Sequence, residues 1–189
     1  MEDPVIEAEL KVRVRDPEGV VRLLEQRAAG RSETYRDTYY DTPEGTLARE
    51  DRELRLRTIT GADGTRSVLT YKEPRVDDAS GSKPEYETGV DNPEAVHAAL
   101  SGLGYVTAIA FEKHCHNYDF EAHGRRVLAT LVRVPELDGT FLEVEALARD
   151  GELDTALTDV RAVLGELGFT DQDVTAELYT EALAARRAR

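Results

Sequence analysis

Charged residues that keep strand phase constrain this fold more than any other feature of the chain. In Val5–Val14, Ile6, Ala8, Leu10, Val12 and Val14 alternate strictly with Glu7, Glu9, Lys11 and Arg13. Successive strand side chains point to opposite faces, so one face is apolar and the other charged. A lone strand of this kind ordinarily turns its charged face to water. The pattern recurs, however. Glu53, Arg55 and Arg57 share a face, as do Val68, Thr70 and Lys72, and Lys83, Glu85 and Glu87. Further on, Phe111, Lys113, Cys115 and Asn117 fall in one phase, and Glu143 and Glu145 oppose Leu142 and Val144. If helices cover the apolar faces, the charged faces line a shared interior. Unpartnered buried charge is prohibitively costly, so that interior must hold opposite charges, water, metal or an ionic ligand.

Local signals set the elements between these strands. Asp16-Pro17 and Asn92-Pro93 each read as an N-cap followed by proline in the first turn of a helix. Val96 and Leu100 would form the buried side of the second of these. Gly61-Ala62-Asp63-Gly64 is a hairpin turn, and Glu73–Ser82 reads as a loop. Leu153 to Leu167 and Leu178 to Leu183 have helical spacing. The chain thus reads as about eight strands, mostly antiparallel by hairpin logic, with about four helices. Its 189 residues suit one domain, with C-terminal helices over about 151–186.

Composition excludes several functions. The formal net charge is -14, so nucleic acid polymers and anionic membranes repel the body of the protein. Cys115 is the single cysteine, which rules out an intramolecular disulfide and argues against a cysteine zinc site. No apolar run is long enough for a membrane span, and Met1–Pro4 lacks the basic and apolar regions of a signal peptide. A cytoplasmic location is the natural expectation.

The charged phases suggest chemistry. Glu7/Glu9 and Glu143/Glu145 are carboxylate pairs near the two ends of the chain, and Glu85/Glu87 is a third. Taken singly, each is a solvated strand face. Taken with Lys11, Arg55, Arg57, Lys72 and Lys113 in matching phase, they fit a cavity for a metal-bound polyphosphate. Hard divalent cations take carboxylate oxygens, whereas Arg forks and Lys point charges hold phosphate oxygens. His114 and His116 lie in the opposite phase to Lys113 and belong outside.

Glu7-x-Glu9-x-Lys11, Tyr39-Tyr40-Asp41-Thr42-Pro43, Leu54-Arg55-Leu56-Arg57, Leu69-Thr70-Tyr71-Lys72, Glu85-x-Glu87, Lys113 and Phe141-x-Glu143-x-Glu145 occur in this order. Together they resemble the CYTH family, the triphosphate tunnel metalloenzymes that include class IV adenylyl cyclases, thiamine triphosphatases and inorganic triphosphatases. The resemblance implies an α+β fold built on a closed eight-stranded antiparallel β-barrel, a tunnel with a charged interior flanked by helices. It implies that Glu7, Glu9, Glu143 and Glu145, with Glu85 and Glu87 as further candidates, hold Mg²⁺ or Mn²⁺. Lys11, Arg55, Arg57, Lys72 and Lys113 would clamp a triphosphate-bearing small molecule, ATP or similar. Related folds often pair, so a homodimer is compatible with the resemblance, though nothing in the sequence marks an interface.

Two positions depart from the family pattern. The family often has Lys-x-Arg where this chain has Lys113-His114-Cys115, and many cyclase-like members carry aspartate where this chain has Val132 or Arg133. Arg125 or Arg133 would be the compensating substrate-binding cation. The resemblance implies an adenylyl cyclase that converts ATP to cyclic AMP and pyrophosphate. The alternatives are a hydrolase of inorganic, thiamine or nucleoside triphosphate, or a binding module whose departures have cost it turnover.

Overall fold

The computed structural model describes residues 5–149 and 151–189. Met1–Pro4, whose acidic sequence bears on the signal-peptide expectation, and Asp150 lie outside the described residues. In chain order the elements are β1 (Val5–Val14), α1 (Pro17–Glu25), β2 (Arg31–Asp41), α2 (Thr46–Arg49), β3 (Glu53–Gly61), β4 (Gly64–Lys72) and β5 (Pro84–Val90). Then come α3 (Pro93–Gly102), β6 (Val106–Ala122), β7 (Arg125–Arg133), β8 (Thr140–Ala148), α4 (Leu153–Glu166), a 3-10 turn (Asp171–Asp173) and α5 (Tyr179–Arg187). No helix among the described residues is long and apolar enough to cross a membrane.

Local chemistry explains the boundaries. The Asp16 carboxylate accepts from the Gly19 amide at 3.0 Å, and the Asn92 side chain accepts from the Ala95 amide at 3.0 Å. These caps satisfy amides that a helix leaves orphaned at its start. Gly64 has φ +114, which a side chain would strain, so glycine ends the β3–β4 turn. Asp41 has a comparable local duty. Its carboxylate accepts from the amides of Thr42 at 2.7 Å, Leu47 at 2.8 Å and Ala48 at 3.0 Å, folding Thr42–Arg49 back over the end of β2.

The eight strands close into a barrel in the order β1-β5-β4-β3-β2-β6-β7-β8, with antiparallel neighbours. Closure is uneven. β1 and β8 share a register from Ile6↔Ala148 to Val14↔Thr140, whereas β1 and β5 meet only at Val5↔Glu85 and Ile6↔Pro84. Beyond that seam the C-terminal segment takes over the edge of β1. Thr175 donates its amide to the Lys11 carbonyl at 2.8 Å, and Val12 bridges Val174.

Helix cover is also uneven. Ala8, Leu10 and Val12 of β1, Val127 and Ala129 of β7, and Val144 and Ala146 of β8 pack on Leu157, Val160 and Leu164 of α4. The small alanines let the helix approach the sheet closely, and burial of this face is the main apolar contribution to stability, at about 25 cal/mol per Å². On the opposite side, α3 buries none of its residues. The expected buried side at Val96 and Leu100 is therefore a correction. Both are only half-buried, and α3 is held at His97, whose Nδ1 lies 2.8 Å from the Tyr40 hydroxyl.

Candidate active site: a charged barrel interior

Cross-strand register places the charged phases in rows around the inner wall. One row runs Glu85, Lys72, Glu53 across β5, β4 and β3. The next runs Glu87, Thr70, Arg55, Tyr39, Ile109, and a third runs Val68, Arg57, Asp37, Phe111. Across the other half, Glu9 faces Glu145 and Lys11 faces Glu143. Directly opposed residues have Cβ atoms about 4.5–5.5 Å apart, so these rows put the side chains in mutual reach.

Every inner cation has a different degree of commitment. Lys72 is held between Glu7 and Glu85, the latter 3.2 Å away, and both carboxylates keep its ammonium charged against burial. Arg57 forms a two-pronged pair with Asp37 at 2.6 and 2.7 Å. Lys113 lies 3.7 Å from Glu143. Lys11 donates to the Glu177 carbonyl and sits 4.3 Å from the centre of the Tyr179 ring. Arg55 is the least committed. It donates to the Thr70 hydroxyl at 3.3 Å, and its buried Nε has no partner.

The carboxylates divide in the same way. Burial raises Glu9, and the neighbouring Glu143 and Glu7 charges raise it further, to about 7. Burial and the charges of Glu7, Glu9 and Glu143 push Glu145 well above the ordinary carboxylate range. Neither Glu9 nor Glu145 forms an ion pair among the described residues, in contrast to Glu7 with Lys72 and Glu143 with Lys113. Clustered, desolvated oxygens of this kind suit a hard divalent cation, which relieves their repulsion. Among the described residues, no group of three or more Asp, Glu, His or Cys side chains is already gathered to hold one. Glu85 lies 3.2 Å from Lys72, but its buried Oε2 accepts no hydrogen bond, and burial with the Glu7 charge raises it to about 7. Glu87 is exposed at the open end of the seam, accepting from Thr70 at 3.1 Å.

The CYTH domain pattern matches residues 5–179. This chain belongs to the CYTH family. CYTH proteins share a metal-dependent triphosphate tunnel fold. Among its relatives is the adenylate cyclase candidate MJ0240 of Methanocaldococcus jannaschii, 26% identical over 180 residues, spanning 94% of this chain and 98% of that protein. The PH1819 protein of Pyrococcus horikoshii OT3 superposes with a TM-score of 0.81 at 25% identity, covering 96% of this chain and 99% of its own. A Hippeastrum protein, the adenylyl cyclase candidate HpAC1, described as having a dominant triphosphatase activity, shares the fold at a TM-score of 0.63 and 20% identity, covering 97% and 95%.

Set against the CYTH pattern, the two departures prove to be one structural feature. Cys115 and Val132 are direct register partners on β6 and β7. Both are buried, and together with Ile59, Phe111 and Phe141 they seat Tyr179 and Leu183 of α5. Half of the interior is thus charged and half apolar. The apolar half receives the C-terminal helix, with Phe141 and Tyr179 packed edge to face at 5.3 Å. Burial holds the Cys115 thiol up at about 12, so it is inert at neutral pH.

This layer also corrects the compensation expected of Arg125 and Arg133. Both lie on the outer phase of β7. Arg125 pairs with Asp159 of α4 at 2.8 Å, and Arg133 is exposed beside His114 on the outside. Neither replaces an inner arginine, because hydrophobic side chains occupy that space. His114 is exposed and bonds Glu112 at 2.8 Å, and His116 stacks on Tyr118, as their phase predicts.

The sequence reading missed two inner residues, Asp37 and Tyr179. Asp37 is fully buried against Arg57, and its phase with Glu33, Tyr35 and Tyr39 on β2 is the signal that would have found it. Asn117, in the expected phase, closes one end of the interior by donating to Glu33 at 2.6 Å and to the Tyr35 hydroxyl at 2.8 Å. Tyr179 has no signal of its own, because its place depends on how α5 docks.

Proposed function

We propose that this protein is a divalent-metal-dependent enzyme acting on a nucleoside triphosphate, with ATP-to-cyclic-AMP conversion as the leading reaction. The observation that supports this most is the meeting of a poorly neutralised carboxylate cluster, Glu9 with Glu145, and a guanidinium with an unpartnered Nε, Arg55, inside one barrel. An anion fits Arg55, and a cation fits the carboxylates; a metal-bound triphosphate supplies both.

In this reading Glu7, Glu9, Glu143 and Glu145 would hold Mg²⁺ or Mn²⁺, which supplies charge neutralisation at phosphate oxygens. Arg55 and Arg57 bind phosphate oxygens as forks, and Lys11, Lys72 and Lys113 bind them as point charges. Asp37 fixes the Arg57 fork so that little reorganisation is needed on binding. Phosphoryl chemistry depends chiefly on such positioning and charge stabilisation. In the cyclase reaction the ribose 3′-hydroxyl attacks the α-phosphorus and pyrophosphate leaves. The whole chain, C-terminal helices included, acts as one unit, because α5 forms part of the inner wall.

The cyclase reading ranks first because the near full-length relative MJ0240 carries that name. Hydrolysis is the second reading, favoured by the activity described for the Hippeastrum protein. The deciding experiment is a product assay with ATP, GTP, tripolyphosphate and thiamine triphosphate, each with Mg²⁺ or Mn²⁺. Cyclic AMP plus pyrophosphate supports the cyclase, and ADP plus phosphate supports the hydrolase. No product from any substrate, together with no binding of any of them in titration calorimetry, would overturn the triphosphate reading itself.

A further inference from the structure

The inner wall carries one aromatic pair that the triphosphate clamp does not use. Tyr39 and Phe111 lie with ring centres 5.9 Å apart and planes within 3° of parallel. Phe111 is buried, while Tyr39 is only half-buried and its hydroxyl makes no hydrogen bond among the described residues. The other inner aromatics are committed. The Tyr35 hydroxyl accepts from Asn117, with Arg57 over the ring at 4.6 Å. Phe141 and Tyr179 pack on each other, with Lys11 and Lys113 at the Tyr179 ring. Other aromatic pairs, such as Tyr71 with Tyr86, stack on the outer face.

Position gives the pair its meaning. Tyr39 is the direct cross-strand partner of Arg55, and Phe111 continues the row of Arg57 and Asp37. The aromatic surface therefore begins where the guanidinium clamp ends. Arg55 presents a buried, unpartnered Nε at that border. The other end of the interior offers no such surface, because Asn117, Glu33, Tyr35 and Thr130 satisfy one another there. An aromatic face beside a cation matches a flat ring attached to a phosphate chain. Tripolyphosphate has nothing to place on it.

We propose that Tyr39, backed by Phe111, is a specificity-determining residue that stacks on the aromatic ring of an organic triphosphate whose phosphates lie on Arg55 and Arg57. This rests on the triphosphate reading above and goes on to select organic over inorganic substrates. Removing the ring costs affinity only for ligands that carry an aromatic group, because the cation clamp is untouched.

The test is isothermal titration of the parent, Tyr39→Leu and Tyr39→Phe with ATP and with tripolyphosphate, in EDTA and with Mg²⁺. Tyr39→Leu should weaken ATP binding about ten-fold, in the range of base–aromatic stacking, and leave tripolyphosphate within about two-fold. Tyr39→Phe should bind ATP like the parent. Unchanged tripolyphosphate binding also shows that the leucine variant is folded. A parent that binds both ligands, with equal losses for both or no loss of ATP affinity in Tyr39→Leu, overturns the stacking role and leaves the triphosphate function standing. A parent that binds neither ligand overturns both.

Discussion

Replacing Asp37 with asparagine tests the electrostatic logic of the interior. The Asp37 side chain has no exposed surface, and that of Arg57 is 14% exposed. Burial alone would push the Asp37 carboxyl up, but the Arg57 guanidinium holds it down at about 2, with help from Arg55 and Lys113. Holding it at about 2 rather than the ordinary 3.8 favours the ionised folded form by about 2.4 kcal/mol, at about 1.36 kcal/mol per pH unit. Removing one partner of a buried pair also strands the other charge, and such losses reach about 3–5 kcal/mol. Asp37→Asn should therefore lose about 2–4 kcal/mol in urea unfolding at pH 7. The sign with pH follows from a depressed carboxyl. Its contribution is complete above 3.8 and is lost as pH falls through about 2. The gap between parent and variant should be the same at pH 7 and pH 5 and should narrow below pH 4. A variant within about 0.5 kcal/mol of the parent at pH 7 would refute the reasoning, as would a gap that widens in acid.

Other perturbations probe the remaining parts. Lys11→Ala and Arg55→Ala should each weaken tripolyphosphate binding by at least about ten-fold in titration calorimetry, the scale of one lost charge-assisted contact. Parent-like binding by both variants would remove the inner clamp. Glu143→Gln should flatten the Mg²⁺ dependence of thermal stability and activity, and an unchanged metal titration would take Glu143 out of the ligand set. Leu183 is fully buried against the apolar half of the interior, so Leu183→Ala should cost about 2–5 kcal/mol in urea unfolding. A loss below about 1 kcal/mol would mean that α5 is not a structural part of the barrel.

How much of this was legible before folding varies from residue to residue. Lys11, Arg55, Lys72, Lys113 and Glu143 were placed by phase alone, because the pleat repeats every two residues. Asp37 was equally regular but was hidden by the tyrosines and threonines around it on β2. Arg125 and Arg133 were misplaced because a shortage of inner positive charge was assumed to need a replacement cation. Their own phase on β7 pointed outwards. Val96 and Leu100 had helical spacing, but a helix buries its stripe only where a neighbour covers it, and α3 lies at the barrel's thinly covered side.

The sequence by itself determined the alternation that turns Glu7, Glu9 and Lys11 to one face of β1 and Ala8, Leu10 and Val12 to the other. Side-chain direction along a strand is a local property, and so are the caps at Asp16 and Asn92. Only the tertiary structure decided which strands share rows, how narrowly β1 meets β5, and that Cys115 and Val132 meet as one apolar seat for Tyr179 and Leu183. Those outcomes depend on barrel closure and helix docking, which join residues far apart in the chain. No local pattern encodes such a pairing, because each half gains stability only when the other is already there.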